Sequence, residues 1–229
     1  MKFNFIKNKL LFLITPLFLF IGGCVIENKN SAKEICRRLL IECIRTRQSV
    51  EIHTNKGKMT FELYGDFAPV TTSNFLDLVE RDFYINSLFH RVIKEPFPFV
   101  IQGGSAYIGN KELSNNDFLA GDFVDPINNQ SRFIPLEITL EKEEIPRYSK
   151  IIKDPIEINQ IKLRHERGSL SMARSAKLDS ASSQFYISLN SLPVLDGRYA
   201  VFGKIVKGRN VLKLIKKGDF IEKIVHLSK

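Results

Sequence analysis

The sequence predicts a mainly β protein, a barrel or sandwich with few helices, on three observations. Short apolar–polar alternations recur from residue 50 to the C-terminus. Two segments of that region keep a helical spacing instead. Apolar residues are plentiful, at 44% of the chain with 18 Phe, which is ample for one packed core and speaks against general disorder.

Val50 and Ile52 alternate with polar residues, the run from Thr54 to Gly57 supplies turn chemistry, and Met59, Phe61 and Leu63 alternate again. That pattern is a β-hairpin. Pro69 and the cluster Thr71, Thr72 and Ser73 open a helix whose Phe75, Leu76 and Val79 share a face. Further strands are expected at 87–93, 99–102, 168–173, 184–189, 200–204 and 221–227, with a second helix over 210–217 ending at Gly218. Residues 105–167 are irregular, and 137–167 hold seven acids and seven bases. With Pro135, Pro146 and Pro155 in or beside it, that stretch reads as a long charged excursion rather than a second domain.

Ahead of the main domain, Ser31 is placed to cap a helix over 32–46. Ile35, Cys36, Leu39, Leu40, Cys43 and Ile44 form one stripe, to be covered by the main domain, a second copy or lipid. On one helix Cys36 and Cys43 stand about 10.5 Å apart along the axis, beyond disulfide reach. They are expected to be apolar face residues, with an intermolecular disulfide as the alternative.

The N-terminus carries Lys2, Lys7 and Lys9 followed by an apolar stretch from Leu10 to Ile21. Twelve residues at about 1.5 Å each do not cross a hydrocarbon core of about 30 Å. The stretch is therefore an export signal over residues 1–23 rather than a membrane span. Gly22, Gly23 and Cys24 complete an arrangement that resembles a bacterial lipoprotein signal, with Cys24 as lipidated N-terminus, residues 24–48 as tether and helix, and 49–229 as the main domain. The alternative is an ordinary secretory peptide with Cys24 incidental. The expected location is the cell envelope, anchored either to the outer face of the cytoplasmic membrane or to the outer membrane. The formal charge is +9, but no run of five like charges and no nucleic-acid motif occurs, so no nucleic-acid partner is expected.

Common catalytic parts are missing. No phosphate-binding glycine loop, His-Glu-x-x-His helix or Gly-x-Ser-x-Gly elbow occurs, and His53, His90, His165 and His226 are scattered, so no metal or cofactor is expected. His90 reads as structural.

What clusters instead is arginine, glutamine and aromatic residues. The strings are Phe89-His90-Arg91-Val92-Ile93, Phe99-Val100-Ile101-Gln102-Gly103-Gly104, Gly168-Ser169-Leu170-Ser171-Met172-Ala173-Arg174-Ser175, Ser183-Gln184-Phe185-Tyr186-Ile187 and Leu195-Asp196-Gly197-Arg198-Tyr199. In this order they resemble the cyclophilins, the peptidyl-prolyl isomerases, over roughly residues 49–229 apart from the excursion. The resemblance implies a closed eight-stranded antiparallel barrel capped by two helices, here with an extra N-terminal helix. It also implies Arg91 as catalytic arginine, with Phe99 and Gln102 beside it. Phe99, Val100, Tyr186 and Leu195 would wall a proline pocket, Gln184 and the backbone of Ala173, Arg174 and Ser175 would bind the peptide, and Tyr199 would stand at the rim. Val194 occupies the place of a tryptophan found in many eukaryotic members, which implies weak cyclosporin binding. Residues 94–98 are about three longer than the usual link to the pocket phenylalanine.

The residue types fit that chemistry. Rotation about a peptide bond faces a barrier of about 18–20 kcal/mol, and no bond is broken. An arginine stays charged while it donates to the nitrogen lone pair freed by twisting. Partners would be proline-containing peptides and unfolded exported proteins, with the membrane reached through the lipid anchor. The competing reading is a barrel that grips proline-containing partners, or another surface protein, without useful turnover. Taken singly, the alternatives are Arg91 as a surface ion-pairing arginine and Phe99 and Tyr186 as core residues.

Overall fold

The computed structural model describes residues 31–105 and 122–227. The segments expected as export signal and tether, residues 1–30 with Cys24, lie outside the described residues, as do 106–121 of the irregular stretch.

Helix α1 (Ala32–Arg38) starts where the sequence places it, with Ser31 Oγ accepting from the Glu34 N–H. It stops eight residues early. Leu40 takes a left-handed conformation, φ 55°. The Ile41 N–H then reaches Cys36 O and the Leu40 N–H reaches Arg37 O, the two crossed bonds that close a helix C-terminus. The chain doubles back, so Cys36 and Cys43 lie 5.4 Å apart at Cα and form a disulfide. The expected separation held only for a continuous helix, and the pairing corrects it. Ile35 and Cys36 are buried, and Leu39, Cys43 and Ile44 pack on the same core with Ile41, so the stripe docks on the main domain except for Leu40, which the turn leaves exposed. Closing so short a loop stabilises by about 2 kcal/mol. Urea titration of Cys43→Ser against the oxidised protein is expected to show a loss of that size, with turnover unchanged.

Strands β1 (Arg47–Thr54) and β2 (Gly57–Tyr64) form the expected hairpin, paired from Arg47↔Tyr64 to Thr54↔Gly57. Val50, Ile52, Met59, Phe61 and Leu63 point inward, fully buried. Helix α2 (Pro69–Glu80) follows. The remaining sheet strands are β3 (Arg91–Val92) and β4 (Val100–Gly103). A short pair, β5 (Val124–Asp125) and β6 (Gln130–Ser131), precedes a second, β7 (Glu137–Ile138) and β8 (Arg147–Tyr148). Then come α3 (Pro155–Ile158), β9 (Ser169–Met172), β10 (Phe185–Ser188), β11 (Val201–Lys207), α4 (Val211–Leu214) and β12 (Ile221–His226). The described residues thus hold four α-helices where the resemblance implied two caps and an N-terminal addition; the fourth is α3 of the excursion.

Eight strands make one antiparallel sheet in the order β12-β1-β2-β11-β9-β10-β4-β3. "Closed" overstates it: the sheet curls into a half-barrel whose ends, β12 and β3, share no ladder. They approach through a single bridge, Leu88↔Phe220, flanked by Phe89 N–H to Asp219 O at 2.8 Å and Ile221 N–H to Ser87 O at 2.9 Å. The strand expected over 87–93 splits for this reason. Residues 87–89 pair toward 219–221, and residues 91–92 pair with β4.

The core is aromatic. The Phe75 ring sits 5.2 Å from Tyr84, 5.2 Å from Phe202 and 5.6 Å from Phe185, all of them buried. His90 is buried too, and desolvation pushes its imidazole down to about 4, against a weaker opposite effect of the Leu88 backbone. The unfolded chain, near 6.5, binds that proton more readily. Stability from neutral His90 is therefore complete above about pH 6.5 and lost as pH falls toward 4. The unfolding free energy from urea titrations at successive pH values should fall across that window by up to about 3 kcal/mol, and by less in His90→Gln.

The excursion is built rather than loose. Leu136, Ile138, Leu140, Ile152 and Ile161 close around Ala200 as a second apolar cluster, and Arg147 bridges Glu143 (2.6 Å) and Glu157 (2.8 Å). The charges lie on its outside. Glu137 is the exception, buried at the start of α2. Its carboxylate accepts from Val70 N (3.1 Å), Thr71 N (2.8 Å), Thr71 Oγ1 (2.7 Å) and Tyr148 Oη (3.0 Å). Burial raises this carboxyl above its ordinary value while the donors act in the opposite direction.

Candidate active site

Strand alternation sends Ile101, Gly103, Phe185 and Ile187 inward and leaves their neighbours on the outer face. Register then lines up one row across the sheet: Arg91 pairs with Gln102, Gln102 with Tyr186, and Tyr186 with Ser171. Arg91 Nη1 donates to Gln102 Oε1 at 3.2 Å, and Gln102 Nε2 donates to Gln184 Oε1 at 3.1 Å. The guanidinium of Arg91 lies 5.7 Å from the centre of the Phe99 ring. Residues 94–98 bulge out, but Phe99 N–H to Ile93 O and Ile93 N–H to Val100 O clamp the two ends and return Phe99 to this face.

Val100, Tyr186 and Leu192, with Phe99, Ala173, Leu195 and Tyr199 around them, form a third apolar cluster separate from the core. Beside it opens a cavity of about 280 Å³ lined by Arg91, Phe99, Val100, Gln102, Ala173, Arg174, Tyr186, Leu195 and Tyr199. The nine sequence-selected residues that wall this cavity come from β3, β4 and the residue just before it, β10, and the segments after β9 and β10. A neighbouring hollow of about 520 Å³ takes in Ser175 and Gln184, sharing Gln102, Ala173 and Arg174 with the first. Val194 does not join them. It lies on the 3₁₀ turn Pro193–Leu195, is 66% exposed and lines neither hollow. The turn presents Leu195 to the cavity and its neighbour to solvent.

Two contacts of the site, the seating of the Arg174 side chain and the His165 network, had no signal in the sequence. Arg174 lies between the hollows with its guanidinium 4.7 Å over the Tyr199 ring, pinned by Nε and Nη2 to Arg198 O at 3.0 and 2.7 Å. Behind the wall, His165 is buried between Asp196 and Tyr186, at 2.7 and 2.8 Å. Residues 165, 186 and 196 have no spacing that links them, and only the fold brings them together, from the segment before β9, from β10 and from the loop after it. Burial pushes the Tyr186 phenol well above its ordinary range. Ile152 N–H, from the excursion, donates to Gly197 O at 2.9 Å. Gly197 has φ +75°, and a Cβ there would stand 2.4 Å from Ile152 O, so glycine is required at this contact. Among the described residues, no group of His, Cys, Asp or Glu is placed to hold a metal ion.

A sequence model described as cyclophilin type peptidyl-prolyl cis-trans isomerase/CLD matches residues 49–227. The chain belongs to the cyclophilin family. A peptidyl-prolyl cis-trans isomerase of Helicobacter pylori (strain J99) is 35% identical to this cyclophilin over 179 residues, covering 76% of this chain and 84% of that one. A putative thylakoid lumen peptidyl-prolyl cis-trans isomerase of Synechocystis is 34% identical over 188 residues. That match covers 78% of this chain but 46% of the relative's length. Among solved structures, a Cryptosporidium parvum cyclophilin type peptidyl-prolyl cis-trans isomerase superposes with a TM-score of 0.56 at 30% identity, covering 80% of this chain and 99% of the other. The same protein crystallised in the presence of the dipeptide Ala-Pro gives the same TM-score. This is a cyclophilin-type isomerase, and its excursion is a docked buttress beneath the loop that carries Leu195 and Tyr199.

Proposed function

We propose that this cyclophilin catalyses rotation about Xaa-Pro bonds of exported proteins at the cell envelope, held there by lipid on Cys24, with Arg91 acting on the twisted amide. The observation that carries the catalytic part is the Arg91 guanidinium standing over Phe99 at the edge of a hollow of about 280 Å³ that Phe99, Val100, Tyr186 and Leu195 wall with apolar surface. A proline ring seated against Phe99, Val100, Tyr186 and Leu195 leaves its preceding amide facing Arg91. Twisting frees the nitrogen lone pair, and an arginine donor there binds the twisted state better than either planar isomer. Gln102 holds Arg91 in place, while Gln184 and the backbone of Ala173, Arg174 and Ser175 would align the peptide. No covalent intermediate, proton transfer or cofactor enters this route.

Three features support export. The N-terminal residues follow the lipoprotein pattern, with Lys2, Lys7 and Lys9 ahead of an apolar run ending at Gly23 and Cys24. The Cys36–Cys43 disulfide suits an oxidising compartment. A relative is named for the thylakoid lumen. No helix among the described residues is long and apolar enough to cross a membrane; the proposed attachment is lipid on Cys24.

NMR exchange spectroscopy on a short Xaa-Pro peptide, with catalytic amounts of the full chain, is the test. Isomerisation should rise from tens of seconds to well under a second. No acceleration at any enzyme concentration refutes the catalytic reading. Metabolic labelling with a fatty acid should mark the wild type and not Cys24→Ser; equal labelling of both refutes the anchor.

A further inference from the structure

Outside the cavity, at the C-terminal foot of the excursion, one residue ties two of the cavity's walls together. The His165 side chain is 1% exposed. Asp196 Oδ1 accepts both the His165 backbone N–H at 2.8 Å and Nδ1 at 2.7 Å. Nδ1 therefore carries the ring proton, and Nε2 is left as an acceptor. The Tyr186 hydroxyl donates to it at 2.8 Å, with the two rings stacked at 10°. The carbonyl of His165 in turn accepts from the Leu192 N–H at 2.8 Å. His165 thus grips the loop on both sides of the Pro193–Leu195 turn and holds β10 through Tyr186. Tyr186 packs edge-on against Tyr199, 6.0 Å away, so both ends of the grip are cavity walls.

Resting on the proposed isomerase reading, we propose that His165 is a positioning residue of the proline hollow. Through Asp196 and Tyr186 it fixes the separation between the sheet wall and the loop that carries Leu195 and Tyr199. The ladder holds Tyr186, and the excursion holds the loop through Ile152 and Gly197. Beside the Tyr186–Tyr199 ring contact, His165 is the side chain that bridges the two by hydrogen bonds. A wall displaced by about an ångström seats the ring poorly, at a cost of up to 10²-fold. Because the side chains of Arg91 and Gln102 hydrogen-bond each other and Gln184 rather than His165, Asp196 or the Tyr186 hydroxyl, the loss should fall on binding rather than on the turnover of bound peptide.

The test uses the full chain and three readouts: kcat and KM on an Xaa-Pro peptide, peptide Kd by NMR titration, and the thermal midpoint. In His165→Asn the short amide keeps Asp196 within reach and cannot span to Tyr186. KM and Kd are expected to rise about tenfold, with kcat within about twofold of wild type. Tyr186→Phe should move Kd in the same direction by about threefold, and adding it to His165→Asn should add nothing, since the link is already cut. Asp196→Ala should reproduce the His165→Asn effect, and Asp196→Asn, whose amide oxygen still accepts both N–H groups, should restore KM. A lowered thermal midpoint with unchanged KM and Kd, or effects that multiply in the double variant, overturns the proposal. Should wild type bind the peptide without turning it over, the isomerase reading falls while the Kd comparison still decides this one. Absence of binding by wild type overturns both.

Discussion

Replacing Arg91 with alanine should lower kcat/KM on Xaa-Pro peptides by about 10²–10³-fold, the usual loss when a donor aimed at developing charge is removed. The thermal midpoint should stay within about 1 °C, because the side chain is exposed and buries no partner. Arg91→Lys separates charge from shape. An ammonium keeps the positive charge but not the flat fork that lies over Phe99 and reaches Gln102 at 3.2 Å. A loss of about tenfold is expected there, all in kcat if the donor acts on the twisted amide alone. If both variants turn over like wild type, the residue is a surface arginine.

Glu137→Ala should produce the largest loss of stability, about 3–5 kcal/mol, read as a lower urea midpoint at unchanged slope. For a domain of this size that corresponds to a fall of about 10 °C in thermal midpoint. Helix α2 begins at Pro69, and Ala68 before it offers no side-chain cap. The first N–H groups of a helix need acceptors, and Glu137 supplies them from the excursion. Truncation leaves the Val70 and Thr71 amides, the Thr71 hydroxyl and the Tyr148 hydroxyl buried without it. Glu137→Gln, which turns donors toward donors on one side, should lose somewhat less. A change below about 1 kcal/mol for Glu137→Ala would mean that water satisfies those groups.

The site row is legible in the sequence through the resemblance, whose motif strings name its residues. The structure adds the physical reason: once Ile101 and Phe185 face the core, period-two alternation puts Val100, Gln102 and Tyr186 together on the outer face. Phe99 keeps its place despite the lengthened 94–98 link because backbone bonds clamp the two ends. What stayed hidden was set by contacts distant in sequence. Leu40 ends α1 by adopting a left-handed turn that its side chain gives no reason to expect, and the disulfide follows from that turn. The apolar residues of the excursion are irregularly spaced because they meet Ala200 from short strands and turns rather than from one helix face. Glu137 reads as one more charge in a charged run, yet it is the one turned inward. His165 looked scattered for the same reason: its partners arrive from two other strings.

The central claim is that one arginine faces the amide of a proline seated in the hollow. A crystal structure of the protein with a short Ala-Pro-containing peptide tests it most directly. The proline ring should lie against Phe99, Tyr186 and Leu195, with an Arg91 nitrogen about 3 Å from the prolyl nitrogen or its carbonyl. A ring bound in the hollow around Ser175 and Gln184, or Arg91 turned to solvent with the peptide in place, would contradict it.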